Sequence, residues 1–132
     1  MRYLLDTKIC IYIIKKSPSR VLEKLRSLQV GDAVISSITL SELEYGVAKS
    51  SRPQQNREAL SAFLTPFEIL SYDQSAAAHY GAVRSYLEKK GILIGPMDLL
   101  IGAHALSLSL TVVTNNVREF KRIPDLRLEN WS

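Results

Sequence analysis

An α/β domain around a parallel sheet is predicted by three features of this sequence. Short apolar, β-branched runs alternate with helical patterns, the signature of strand–helix–strand units. Gly, Pro and Asp punctuate the boundaries between them. The length, 132 residues, suits one domain, since domains commonly run to about 100–150 residues. No internal repeat, low-complexity segment or linker divides residues 1–132.

The elements follow in order. Arg2–Leu5 reads as a first strand ending at Asp6, and Thr7 to Lys15 as a helix. Pro18 opens a second short helix through Arg26, Pro being favoured in a first turn. The Gly31-Asp32 turn precedes a strand at Ala33–Ser36, then a helix from Ser37 to Ala48. Thr39 and Glu42 stand at capping-box spacing as one possible start for it. Pro53 begins a helix to about Leu64, and Phe67–Leu70 is the third strand. Asp73 is the N-cap of a long helix to Lys90. Gly91 and Gly95-Pro96 break the chain before an almost wholly apolar helix, Asp98 to Leu108. Thr111–Thr114 is a β-branched strand, followed by a short helix near Val117–Phe120 and an extended stretch near Arg127–Glu129.

Composition narrows the function classes. Hydrophobic residues make up 46% and charged residues 23% of the chain, enough for a core and too apolar for wholesale disorder. The single Cys10 forms no internal disulfide, and with no signal peptide this points to a reducing cytoplasm. No apolar stretch approaches the ~20 residues of a membrane span. His79 and His104 are too few for a zinc site. The net charge is +4, with seven basic residues among residues 1–26 against Asp6 and Glu23 alone. A second basic cluster is Arg118, Lys121, Arg122 and Arg127. Setting four acids aside for a metal leaves nine against 17 bases, a surface suited to a polyanion.

Three acids occupy informative places. Asp6 follows the run Tyr3-Leu4-Leu5, at the strand end where open parallel sheets bind ligands; an Asp there is equally a favoured N-cap. Asp98 leads a helix of Leu99, Leu100, Ile101, Ala103, Ala105 and Leu106. So apolar a helix is buried, and an unpaired charge entering that region is costly. Capping explains this residue as well. Glu42 lies between Ile38 and Gly46, off the apolar face of Leu40, Leu43 and Val47, whereas Glu44 falls nearer the exposed flank; periodicity favours Glu42 only weakly, and a surface glutamate is the default for either. The strand Thr111–Thr114 delivers Asn115, Asn116 and then Glu119 to another strand end, although Asn115-Asn116 is equally a turn signal. Together these form an oxygen-rich pocket suited to Mg²⁺ or Mn²⁺ rather than zinc. His104, inside the apolar helix, reads as a packed core histidine.

Four blocks occur in order: Leu4-Leu5-Asp6-Thr7; Ile35 to Gly46 (ISSITLSELEYG); Gly95 to Ala105 (GPMDLLIGAHA); and Val113 to Phe120 (VTNNVREF). With the closing Leu128-Glu129-Asn130-Trp131 they span essentially the whole chain. In these blocks the sequence resembles a VapC-type toxin ribonuclease of the PIN-domain family. The resemblance implies a Rossmann-like α/β/α sandwich with a roughly five-stranded parallel sheet, and an acid cluster that binds Mg²⁺ or Mn²⁺. It implies Asp6 and Asp98 as metal ligands, Glu42 as the acid of the second block, and Glu119 as a fourth catalytic acid. The fourth acid is called for because the position often acidic in relatives is here Asn116. Thr7, Thr114 and Asn116 would hold those ligands by hydrogen bonds.

The reaction so implied is RNA hydrolysis by a metal-activated water, with the anticodon stem-loop of initiator tRNA as the leading substrate. Lys8, Lys15 and Arg118 are RNA-binding candidates. Partners implied are a cognate antitoxin covering the acidic pocket and a homodimer within a larger toxin–antitoxin complex. The apolar run Ile11 to Ile14 serves either a dimer contact or the core. Lys8 departs from the Asn or Ser usual after Asp-Thr. With Asn116 it supports the alternative of a catalytically silent PIN-like module that binds RNA or protein. A phosphoacceptor domain using Asp6 ranks lower, as no Gly-rich phosphate loop follows the first strand.

Overall fold

Alternate residues of each short strand point to opposite faces, and this sequence makes both faces apolar. The computed structural model describes residues 2–132. Its five strands are β1 (Tyr3–Leu5), β2 (Ala33–Ser36), β3 (Glu68–Leu70), β4 (Thr111–Val113) and β5 (Arg127–Glu129). They form one parallel sheet in the order β3-β2-β1-β4-β5. Leu4, Val34 and Val112 face one side, where they pack on Val83 and Leu87 of α5 (Gln74–Lys90) and on Leu99, Ile101 and Ala105 of α6 (Pro96–Ser107). Leu5, Ile35 and Val113 face the other. There they meet α1 (Thr7–Lys16), α2 (Ser19–Arg26), α3 (Ser37–Lys49) and α4 (Pro53–Leu64) through Ile9, Cys10, Val21, Leu43 and Leu60. The result is the predicted three-layer α/β/α sandwich. Strands buried on both faces need such continuous apolar runs, and each buried Leu, Ile or Val contributes about 1.5–3 kcal/mol.

The chain fills the sheet outward from β1, first to β2 and β3, then returns to β1's other side with β4 and β5. The reversal opens a crevice at the carboxyl ends of β1 and β4, the place where such sheets hold ligands. Asp6 leaves β1 at that edge and Thr114 leaves β4. The short α7 (Val117–Phe120) follows, with Phe120 and Ile123 sealing the α5–α6 side. Trp131 closes the opposite side, its ring edge-on to Tyr3 at 5.2 Å and its Nε1 donating to Glu129 Oε1 at 2.9 Å. Among the described residues no helix is long and apolar enough to cross a membrane.

Two sequence expectations are corrected here. Thr39 and Glu42 form no capping box: Ser36, the last residue of β2, caps α3 by accepting from the Ile38 amide at 3.0 Å. The strand runs straight into the helix, so the cap moves back by three residues and Thr39 is buried within the first turn. Asp98 is no N-cap either. Gly95 takes that place and Pro96 starts α6, leaving the Asp98 carboxylate in the first turn without a capping role. Asp6, by contrast, does cap α1, and Asp73 caps α5 as expected.

Candidate active site at the carboxyl edge of the sheet

Asp6 is 1% exposed. Its Oδ1 accepts from the Ile9 amide at 2.8 Å, while the Thr114 hydroxyl donates to Oδ2. Extended backbone at Asp6 ends β1 and aims the carboxylate back over the start of α1, where the helix dipole favours an anion. Capping and membership of the site are thus the same geometry. Burial nevertheless dominates and raises the Asp6 pKa to about 6, with the Asp98 charge adding to the rise.

From Thr114 the connection continues to Asp98. Thr114 Oγ1 accepts from the Asn116 amide at 2.8 Å, and Asn116 Nδ2 donates to Asp98 Oδ2 at 3.1 Å. The strand end of β4 therefore joins both aspartates through neutral donors. Asp98 is half-buried, and burial raises its pKa too. The neighbouring charges of Glu119 and Glu42 push it the same way, while Lys8 opposes them.

Glu42 stands across the crevice. The Thr7 hydroxyl donates to its Oε1 at 2.5 Å, and the Thr7 and Thr39 hydroxyls lie 3.1 Å apart. Glu44, two residues on, turns away to pair with Arg57 at 2.5 Å. Lys8 is exposed on the first turn of α1 and its charge reaches both Asp6 and Asp98. Thr7, Lys15 and Glu42 share the wall of an open groove of roughly 820 Å³ with Ile11, Tyr45 and Met97. Arg118 is exposed on α7 beside half-buried Glu119, apart from that groove. Of the run from Ile11 to Ile14, Ile13 is core, Tyr12 and Ile14 are half-buried and Ile11 is exposed. The sequence offers Thr39 only as a cap and gives no sign of its place beside Thr7 or of the Ser36–His104 contact. Burial of a polar residue in an otherwise apolar stretch is the one signal that marks them.

The donor chemistry fits a hard divalent cation. Asp6, Glu42, Asp98 and Glu119 offer only carboxylate oxygens, and burial first, with the neighbouring carboxylates second, raises the pKa of Asp6 and Asp98, a cost to their anions that a bound cation would offset. Among the described residues no three His, Cys, Asp or Glu side chains close into a ready-made ligand shell. Instead Thr114, Asn116 and Thr7 each restrain one carboxylate.

Known proteins match this chain along its whole length. The PIN domain family profile matches residues 3–126. Ribonuclease VapC2 of Rickettsia felis is 48% identical over 132 residues, covering 99% of this chain and 98% of that protein. The tRNA(fMet)-specific endonuclease VapC of Salmonella typhimurium is 45% identical over 131 residues, with 99% and 98% covered. Among solved structures, VapBC2 from Rickettsia felis bound to a DNA fragment from its promoter superposes with a TM-score of 0.96 at 46% identity, covering 100% of both chains. With the sheet order, the acids at its carboxyl edge and these full-length matches in agreement, the chain belongs to the PIN-domain family, in its VapC branch.

Proposed function

We propose that this protein is a divalent-cation-dependent endoribonuclease and the toxin of a toxin–antitoxin pair, with initiator tRNA as its substrate. The observation that carries the reading is the chain Asp6–Thr114–Asn116–Asp98, two carboxylates restrained across the sheet's switch point with raised pKa values. The activities named for the relatives from Rickettsia felis and Salmonella typhimurium support the ribonuclease and tRNA assignments. The VapBC2 structure from Rickettsia felis supports an antitoxin partner, and we seat that partner over the acidic pocket of a cytoplasmic toxin dimer.

Asp6 and Asp98 would hold Mg²⁺ or Mn²⁺, with Glu42 and Glu119 at its margin. A cation so held supplies Lewis acidity toward water and the scissile phosphate. The Ile9 amide and the Thr114 hydroxyl each take one hydrogen bond on Asp6 Oδ1 and Oδ2, and Asn116 takes Asp98 Oδ2, so the second lone pairs of Asp6 and the Oδ1 of Asp98 would face the cation. Glu42 Oε1 is engaged by Thr7, which leaves Oε2 to accept a proton from the attacking water. Attack on phosphorus in line with the departing O3′ gives 5′-phosphate and 3′-hydroxyl ends. Lys8, Lys15 and Arg118 supply positive charge for the RNA backbone.

The test is cleavage of end-labelled initiator tRNA in Mg²⁺ or Mn²⁺ by the wild type and by Asp6→Asn. Cleavage that Asp6→Asn slows by about a hundredfold or more is expected from loss of a ligand carboxylate. Equal cleavage by both proteins, or none by either, defeats the enzyme assignment. RNA binding without cleavage would instead favour a silent binding module, the reading to which Lys8 and Asn116 lend weight.

A further inference from the structure

His104 is completely buried, yet it is not inert packing. Its Nδ1 lies 2.8 Å from Ser36 Oγ, a contact between residues 68 apart in sequence. Ser36 Oγ already accepts from the Ile38 amide, so its single proton is free to go to the imidazole. Counting donors in this way makes Nδ1 the acceptor and puts the ring proton on Nε2. Nε2 closes no hydrogen bond of good geometry, and the Ser71 backbone lies close enough to the ring to favour its charged form. Burial holds the ring below its ordinary pKa, with the Asp73 charge opposing, and the neutral form follows. The Tyr72 ring abuts the imidazole edge-on at 5.5 Å, and the Tyr72 amide donates to Ser37 Oγ at 2.9 Å. The β3–α5 loop, the start of α3 and the middle of α6 are therefore clasped around one histidine.

The position of this clasp matters. Glu42 lies six residues after Ser36 on α3, and Asp98 lies six residues before His104 on α6, each about 9 Å along its helix. The two helical segments run in opposite directions, with the Ser36–His104 bond at one end and the mutually repelling Glu42 and Asp98 at the other. We infer that His104 is a positioning residue, whose hydrogen bond to Ser36 pins α6 to the start of α3 and thereby sets the separation of Asp98 from Glu42. This rests on reading those acids as the active site. A buried apolar residue of similar size would fill the space but let the two helices slide, and the repelling carboxylates would drift apart.

The experiment measures Mn²⁺ affinity by electron paramagnetic resonance, alongside kcat and KM for RNA cleavage. His104→Leu should weaken Mn²⁺ binding and lower kcat about ten- to a hundredfold with KM little changed, the range seen when partners of ligand residues are lost. His104→Asn, which keeps a polar atom near the Nδ1 position, should restore Mn²⁺ affinity to within about threefold. Leu87→Ala serves as control: it truncates the core on α5, which carries none of the acids, and should lower the melting temperature without moving either quantity. Should His104→Leu not fold, His104→Phe, which fills the ring's space and leaves Ser36 capping α3, decides, with the same losses expected. Wild-type Mn²⁺ affinity in the folded His104→Leu or His104→Phe protein overturns the inference, as does an equal loss in Leu87→Ala. If Asp6→Asn leaves Mn²⁺ binding intact, the active-site reading itself has failed. Asp6-dependent binding indifferent to His104 removes only this inference.

Discussion

Asn116 Nδ2 donates to Asp98 Oδ2 across 3.1 Å, so a neutral amide stabilises the Asp98 carboxylate. Asn116→Asp would replace that donor with a like charge facing a half-buried carboxylate whose pKa is already raised. In EDTA the variant should lose about 1–3 kcal/mol, the cost of a broken charge-assisted bond plus repulsion. Added Mn²⁺ should recover the loss. Thermal melts with and without Mn²⁺ check this; a variant as stable as wild type in EDTA contradicts it.

Burial of Asp6 has a measurable cost. Its pKa rises from 3.8 to about 6 on folding, and because this acid is raised rather than depressed, its protonation favours the folded state. That contribution is complete below about pH 4 and is lost as pH climbs through about 6, amounting to about 3 kcal/mol by linkage. Asp6→Asn keeps an acceptor for the Ile9 amide and carries no charge. The variant should therefore exceed the wild type in stability by up to about 3 kcal/mol at pH 8 in EDTA and match it near pH 4. Urea titrations at the two pH values check the sign; a variant less stable at pH 8 refutes the burial argument.

Much of this was legible in the residues because it is encoded locally. Pro53 and Pro96 start helices, Asp73 caps one, and Gly91 ends one with φ at 69°, a conformation that favours glycine. Strand ends located Asp6 and Thr114 for the same reason. What stayed hidden is long-range. Thr7 meets Glu42, 35 residues away, only because parallel pairing of β1 with β2 brings α1 beside α3. His104 reads as core from its apolar neighbours, but no sequence pattern names Ser36 as its partner. The misplaced caps at Thr39 and Asp98 share one cause: spacing rules cannot see that β2 enters α3 without a loop, or that Gly95-Pro96 claims the first positions of α6.

Thr114 has one hydroxyl and two duties, donating to Asp6 Oδ2 and accepting from the Asn116 amide. Thr114→Val keeps the shape and removes both. The Asp6 carboxyl should then titrate above about 6, because the hydrogen bond that lowers its pKa is gone. Stability should fall by about 1–3 kcal/mol for the orphaned amide, and Thr114→Ser should recover both properties. Carbon-13 NMR of the Asp6 carboxyl supplies the titration; an unmoved curve would show that the hydroxyl does not govern this charge.

The Lys8 ammonium lowers the pKa of both Asp6 and Asp98. The same field that stabilises those carboxylates opposes any second cation that approaches them. Lys8→Asn should accordingly raise Mn²⁺ affinity. The side chain is exposed and on a flexible stem, so solvent screens it and the gain should be modest, about two- to fivefold at low salt. Raising the ionic strength should narrow the gap between variant and wild type, since screening weakens the ammonium's reach. RNA affinity moves the other way if Lys8 also contacts phosphate: the variant should then bind RNA more weakly, with a shallower salt dependence. Mn²⁺ titrations of both proteins at low and high salt, paired with RNA binding in EDTA, separate these two effects. An unchanged Mn²⁺ titration disposes of the competition argument, and unchanged RNA binding removes Lys8 from the substrate surface.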